Sequence, residues 1–503
     1  MELKLKREEI VKYFLSKGKL ISGDFLNYLE DESNLEFIHT RINEGNVDLD
    51  VLTQELISIS REPEPPPSSF ESEHNENISG NDSSTIIRFN YIDEPQKKIV
   101  GDFISYFRKR FDSLESILRG RPELQNVMSI NRISNKTDRE NIALIGMVRE
   151  KQTTKNGNLM ITVEDKTGAI KVIVNKSKLD LFETAKDIVP DEVIGMSGVN
   201  GNKIVFADNL IFPDVPLTKE FKKAPEEAYA VFVSDFHIGS RLFREDKILK
   251  FLKWISGEIG TEDQKRIAGK VTHLFVVGDL VDSVGVYPGQ ENELEIKDFY
   301  EQYKKCAQLL SMVPPRIKII ICPGNHDAMR IAEPQPPLYQ DFAEDLYKLP
   351  NTVLVSNPSF VTIGKTENFR GFDVLLYHGF SFDYYYTNVE SIRKHGNDRS
   401  DLIMQFLMKK RHLAPTYGST RIMPTADRDN LVISSVPDIF VTGHVHRCST
   451  PSNKSLNYRN ISLISCSCFQ DTTPFQEKVG HKPDPGRVPV INLQTREIKI
   501  LKF

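Results

Sequence analysis

No stretch of the chain's 503 residues is long and apolar enough to cross a membrane, and the N-terminal MELKLKREEIVKYFLSKGKL carries charges throughout, which excludes a signal peptide there. A cytoplasmic protein without a membrane partner is therefore expected. Cysteine is scarce as well: the five residues Cys306, Cys322, Cys448, Cys466 and Cys468 include no C-x-x-C pair, which excludes a disulfide framework and a zinc knuckle and leaves reduced thiols. Cys466 and Cys468 have strand-alternating spacing and are expected on one face of a core strand, with metal binding the lesser reading. An excess of charge of one sign is also missing: 65 basic against 70 acidic residues give a net charge of -5. Whole-surface attraction to nucleic acid is thus excluded, and a polyanion site has to come from local basic clusters or bound cations.

A chain of 503 residues exceeds what one hydrophobic core organises, so several domains are expected. Ile10, Val11, Phe14, Leu15, Phe25, Leu26 and Leu29 recur at helical spacing and predict a small helical module over 1–60. The next stretch, 61–85, is rich in proline, serine, glutamate and asparagine and buries too little to offset its ordering entropy; it reads as a flexible linker that frees the module for docking. Residues 86–138 read as a helical connecting segment, in which Phe103, Ile104, Phe107, Phe111 and Leu114 form one stripe. Over 139–225 the texture changes to five short β-rich runs, two of them joined by Asp165-Lys166-Thr167-Gly168 and two by Asn200-Gly201-Asn202. Five such strands suit a small barrel of the oligonucleotide-binding (OB) type, although spacing alone fits a sandwich fragment too. Such a barrel can grip nucleic acid or serve as a protein platform.

From 226 to 503 strands alternate with helices, one carrying Ile248, Phe251, Leu252 and Ile255, the other Phe299, Tyr303, Ala307 and Leu310. Alternation of this kind predicts right-handed βαβ units, a largely parallel sheet and a site at the carboxyl ends of its strands. Five apolar runs there end in polar residues: VFVSDFH in Asp235 and His237, LFVVGD in Asp279, IIICPGNHD in Asn325, His326 and Asp327, VLLYH in His378, and IFVTGHVH in His444 and His446. Singly, each has a duller explanation: a helix cap, a turn, a hydrogen-bonded loop histidine. Five together are costly to bury unpaired, and a metal site answers for all of them. Mixed imidazole, carboxylate and carboxamide without thiolate favours manganese, iron or zinc over calcium, and seven ligands exceed one tetrahedral ion. Two ions sharing a carboxylate can activate water and hold the attacking and leaving oxygens of a phosphoryl displacement.

At these residues the chain resembles the calcineurin-like metallophosphoesterases, whose pattern D-x-H, G-D-x-x-D, G-N-H-D/E, H, G-H-x-H is present in order. The resemblance implies an αββα sandwich over 226–503. It also implies that Asp279 bridges two ions, with Asp235, His237 and His446 completing one and Asn325, His378 and His444 the other. His326 would contact the transferring phosphoryl group, and Asp327 would orient it. GDLVDSVGVYPGQ, KKRHLAPTYGSTR and DIFVTGHVH, set behind a barrel and a tethered module, are similar to the small subunits of archaeal family D DNA polymerases. That family implies a large catalytic polymerase subunit as partner and a manganese-dependent 3′-5′ exonuclease acting on single-stranded or mismatched 3′ ends, with iron or zinc as the other metals. A sliding clamp or another replication protein is the expected partner of the first module. Lys409, Lys410, Arg411 and Arg421 read either as a solvated helix end or as DNA contacts near the site. A non-catalytic scaffold subunit and a stand-alone metallophosphatase are the competing functions.

Overall fold

The computed structural model describes residues 20–21, 51–52, 84–92, 97–396, 399–449 and 457–503. The chain divides into two units, Met1–Glu71 and Ser72–Phe503. In the first, strands β1 (Leu20–Ile21) and β2 (Val51–Leu52) pair in parallel. The helical module expected over 1–60 and the linker over 61–85 otherwise lie outside the described residues.

The second unit opens with β3 (Ile86–Asn90), so the connecting segment becomes helical only at α1 (Val100–Arg119). Beyond it, β4 (Asn141–Thr153), β5 (Leu159–Asp165), β6 (Gly168–Val174), β7 (Val193–Asn200) and β8 (Ile204–Ile211) close a barrel in the order β4-β5-β6-β8-β7. Alternate side chains fill its interior, among them Leu144, Val148, Ile161, Val163, Val172, Ile194, Met196 and Val205. The Asp165-Gly168 turn forms because the Asp165 carboxylate accepts the N–H groups of Thr167 at 2.7 Å and Gly168 at 3.0 Å.

The remainder is two six-stranded sheets. β9 (Tyr229–Val233), β10 (Val271–Val277), β11 (Lys318–Cys322) and β12 (Thr352–Leu354) run parallel, and β18 (Arg487–Asn492) and β19 (Ile498–Lys502) extend them in the order β12-β11-β10-β9-β18-β19. The other sheet has the order β16-β17-β15-β14-β13-β3, built from β13 (Ser359–Ile363), β14 (Phe372–Leu376), β15 (Ile439–Thr442), β16 (Asn457–Tyr458), β17 (Ile461–Ser465) and the early strand β3. Phe232, Phe275, Ile320 and Cys322 from the first meet Val361, Val374, Leu376, Val441 and Ile464 from the second in one buried layer. Helices α2 (Glu245–Ile255) and α3 (Phe299–Leu310) cover the outer face of the first sheet, and α4 (Ser400–Lys410) covers the second. Because both faces of each sheet are covered, the central strands are apolar throughout, and β9 is buried at every position. The expected helix stripes hold: Ile248, Phe251, Leu252, Ile255, Tyr303, Ala307 and Leu310 are all buried, with Phe299 packed at the edge. Cys466 lies in the layer between the sheets, and Cys468 is buried beyond the strand end. No helix among the described residues is long and apolar enough to cross a membrane.

Helix α1 clamps the barrel to this double sheet. Its Phe111, Leu114 and Leu118 pack on Ala143, Ile145, Met147 and Val193 of the barrel. On the other side Arg110, fully buried, donates to Asp429 at 2.7 Å and to the Pro415 carbonyl at 2.7 Å, and Asp429 also meets His412 at 2.8 Å. This buried ion pair rotates the helix away from the expected stripe: Tyr106, Arg110 and Leu118 are buried, whereas Ile104 stands 49% exposed. Removing one partner would strand a buried charge, so Arg110→Ala is expected to destabilise this unit by about 3–5 kcal/mol, read from the denaturant midpoint. A loss under about 0.5 kcal/mol would mean the clamp does not depend on the pair.

Candidate metal centre

Every predicted ligand lies just beyond a strand end: Asp235 and His237 after β9, Asp279 after β10, Asn325 after β11, His378 after β14, His444 and His446 after β15. The backbone there is bent sharply. Asp235, His237, Asp279, His444 and His446 all adopt positive φ, between 52° and 70°. Non-glycine residues rarely hold this conformation, and they do so where surrounding structure over-determines it, as at functional sites. Two glycines permit the close approach: a β-carbon at Gly324 would strike the Asp279 carboxylate, and one at Gly443 would strike the Ser234 hydroxyl.

The bends bring the side chains into three overlapping groups, each with its ligand atoms within 4.8 Å of one another: Asp235, His237 and His446; His237, Asp279 and His326; and Asp279, His378 and His444. Asp279 belongs to two of them. Its Oδ2 lies 3.2 Å from His378 Nε2 and 3.8 Å from His237 Nε2, while Oδ1 accepts the His326 N–H at 2.8 Å. Asn325 Oδ1 is 3.1 Å from His378 Nε2, which places the amide with the group of Asp279, His378 and His444. The ring nitrogens facing outward are held by partners: His378 Nδ1 meets the Val277 carbonyl at 2.8 Å, and His237 Nδ1 meets Asp282 at 2.9 Å. With Nδ1–H donating, each Nε2 points inward, as a metal-ligating imidazole requires. His237 Nε2 and His446 Nε2 face each other at 3.0 Å beside Asp235 Oδ1, 3.3 Å from the latter nitrogen. Two inward ring nitrogens and a carboxylate at that spacing fit a divalent cation, and the donor set suits first-row metals.

Charge in this pocket is tightly balanced. Burial would raise Asp279, yet the His378 and His326 imidazoles beside it hold the carboxyl well below its usual range. Conversely, burial would lower the two imidazoles, but Asp279 outweighs it and pushes His378 up to about 10, and Asp279 with Asp282 pushes His326 up to about 9. Burial, then Asp279, raises the Asp327 carboxyl to about 7.

Several side chains take places other than those expected. Asp327 does not orient His326: its carboxylate accepts the N–H groups of Gly324 at 2.8 Å and Asp279 at 3.0 Å, so it braces the two loops. The partner of the His326 ring is Asp282, whose Oδ1 lies 3.0 Å from Nδ1 and also serves His237. Asp282 is the second carboxylate of G-D-x-x-D, so its signal was in the sequence. Asp383, 3.2 Å from His444 Nε2, and Gln476, 2.9 Å from His446 Nδ1, had none. Lys410 and Arg411 are corrected as DNA contacts. Both are buried; Lys410 pairs with Glu192 of the barrel at 2.5 Å, and Arg411 donates to the Ile433 and Ser434 carbonyls at 2.6 Å. Lys409 is half-buried with Nζ 4.2 Å from the Phe212 ring, and Arg421 is exposed.

Two covered sheets with a histidine-carboxylate cluster at their carboxyl ends define a class of polymerase accessory proteins: the family of DNA polymerase alpha/epsilon B subunits matches residues 230–450. The chain is 41% identical over 405 residues to the DNA polymerase II small subunit of Methanothermobacter thermautotrophicus, covering 80% of each protein. It is 38% identical to that of Pyrococcus furiosus, covering 80% of this chain and 64% of the other, and 37% identical to that of Halobacterium salinarum, covering 80% and 75%. The chain belongs to the archaeal DNA polymerase II small subunit family, that of the family D enzymes. Among solved structures, asparaginyl-tRNA synthetase from Pyrococcus horikoshii overlaps 17% of this chain and 22% of the other at 18% identity, with a TM-score of 0.16, too little to bear on function.

Since the imidazoles that would bind cations are held protonated by their carboxylates, cation affinity is expected to rise with pH between about pH 6 and about pH 9, with protons released on binding. Calorimetry in buffers of different ionisation enthalpy reads both. Asp282→Asn, which removes the shared partner of His237 and His326, should weaken affinity about 10–100-fold; affinity equal to wild type would show that Asp282 does not aim the imidazoles.

Proposed function

We propose that the chain is the exonuclease subunit of a two-subunit replicative DNA polymerase, removing 3′-terminal nucleotides at a dinuclear site of the calcineurin-like metallophosphoesterase type. The observation that carries this reading is the meeting of all seven predicted ligands, with Asp279 shared between two groups. Asp235, His237 and His446 would hold one cation, Asn325, His378 and His444 the other, and Asp279 would bridge. Manganese is the favoured metal, with iron and zinc compatible with the same donors. Bound there, two cations supply Lewis acidity toward a phosphodiester and activate the attacking water. His326 stands at the mouth, its side chain 22% exposed, and Asp279 and Asp282 keep it protonated. From that place it can donate to a phosphoryl oxygen or give its proton to the leaving oxygen. Asp327 keeps the Gly324 and Asp279 loops in register, which holds His326 over the ligands.

The partner of this subunit is a large catalytic polymerase subunit, in keeping with the names of its relatives, and its substrate is a single-stranded or mismatched 3′ end. The five-stranded barrel belongs to this reading as an OB fold, joined to the double sheet through Lys410, Glu192 and α1. Residues 1–60, with the linker behind them, would recruit a sliding clamp or another replication protein. Arg421 and Lys409 remain candidate DNA contacts.

Digestion of 5′-labelled single-stranded DNA with manganese, with the large subunit present, tests the proposal. A descending ladder that His326→Ala and Asp279→Ala both abolish is expected. Digestion surviving in Asp279→Ala would place the activity elsewhere, and no digestion by a wild-type complex with bound metal would leave the subunit a scaffold.

A further inference from the structure

His326 and His444 are the most exposed imidazoles of the cluster, with side chains 22% and 13% accessible, and they mark its mouth. Each has an aromatic ring at its edge. The Tyr287 ring lies 6.3 Å from that of His326 at 68°, and the Phe380 ring lies 5.7 Å from that of His444 at 80°. Both rings are half-buried, so part of each is open to solvent.

Tyr287 is held there by a loop with its own fastenings. Gln290, fully buried, donates to the Asp282 carbonyl at 2.8 Å and accepts the Val286 N–H at 2.9 Å. Glu293 accepts the Arg241 N–H on its carbonyl at 3.0 Å and the Tyr287 hydroxyl on its carboxylate at 2.9 Å, and the Glu295 N–H reaches the Gly239 carbonyl at 2.8 Å. The loop is thus tied to Asp282, the residue that holds His326, and to Gly239, two residues beyond His237. A ring so constrained offers a stacking face at little entropic cost, and stacking on aromatic rings is how proteins hold unpaired bases.

Resting on the nuclease reading, we infer that Tyr287 is a substrate-contact residue that stacks on the nucleoside beside the scissile phosphate, so that the site selects a 3′ end whose terminal base has left its helix. A base still paired and stacked in duplex cannot lie on this ring while its phosphate reaches the ligands. Phe380 closes the opposite side of the mouth and limits the strand to one course across it.

The test compares two single-stranded oligonucleotides, one ending in a normal 3′ nucleotide and one ending in an abasic residue, digested by the complex of full chain and large subunit with manganese. Wild type is expected to favour the base-bearing end about tenfold in kcat/KM; Tyr287→Ala brings the ratio near one, and Tyr287→Phe, which keeps the ring and loses the hydroxyl, restores it. A ratio that persists in Tyr287→Ala, an absent preference in wild type, or an equal loss on both ends would overturn the inference, the last pointing to a loop that merely supports His326. A wild-type complex that digests neither substrate would sink the nuclease reading and this inference with it.

Discussion

The structure around the cluster is governed by the burial of Asp279. A carboxylate at 1% exposure, with Asp235, Asp282 and Asp327 buried close by, cannot persist without compensating positive charge. His378 and His326 supply it, and both are pushed far above the usual imidazole range in doing so. The same crowding of carboxylates defines where cations would be most favoured. Asp327 shows the limit: braced by backbone N–H groups but facing Asp279, its carboxyl rises to about 7.

Such a cluster requires a rigid frame, and the two covered sheets provide one. Parallel strands end together along one edge, so residues distant in sequence converge without long loops. The left-handed turns at Asp235, His237, Asp279, His444 and His446 then fold the polar residues back over the strand ends. Conformations this unfavourable survive because hydrogen bonds such as those from the Gly324 and Asp279 backbones to Asp327 leave the loops no alternative. Farther away, the Arg110–Asp429 pair applies the same logic at the clamp between barrel and sheets, where a buried charge is tolerated because its partner is fixed.

Much of the site was legible from residue order. Apolar runs ending in D-x-H, G-D, G-N-H-D, H and G-H-x-H announce strand ends with metal-type ligands, and all seven ligand residues converge. The five barrel strands and the helix stripes were equally plain, because hydrophobic periodicity reports burial directly. Harder to read was anything that depends on which side chain meets which. His326 looks in sequence as though Asp327, its neighbour, should orient it, but adjacent residues at a turn point apart, and Asp282 from another strand end takes that role. Lys409-Lys410-Arg411 looks like a surface cluster, but α4 ends against the barrel, where Glu192 and two carbonyls draw Lys410 and Arg411 inward.

The sequence by itself determined the order of strands and helices, the residue types at the strand ends and hence the chemistry they suit, because these follow from periodicity and from the cost of burying polar groups. Only the tertiary structure decided which carboxylate serves which imidazole, that β3 completes a distant sheet edge, that α1 turns its Arg110 inward, and that Tyr287 stands beside His326. Each of these is a contact between segments far apart in the chain, set by packing geometry and charge pairing that no local pattern encodes.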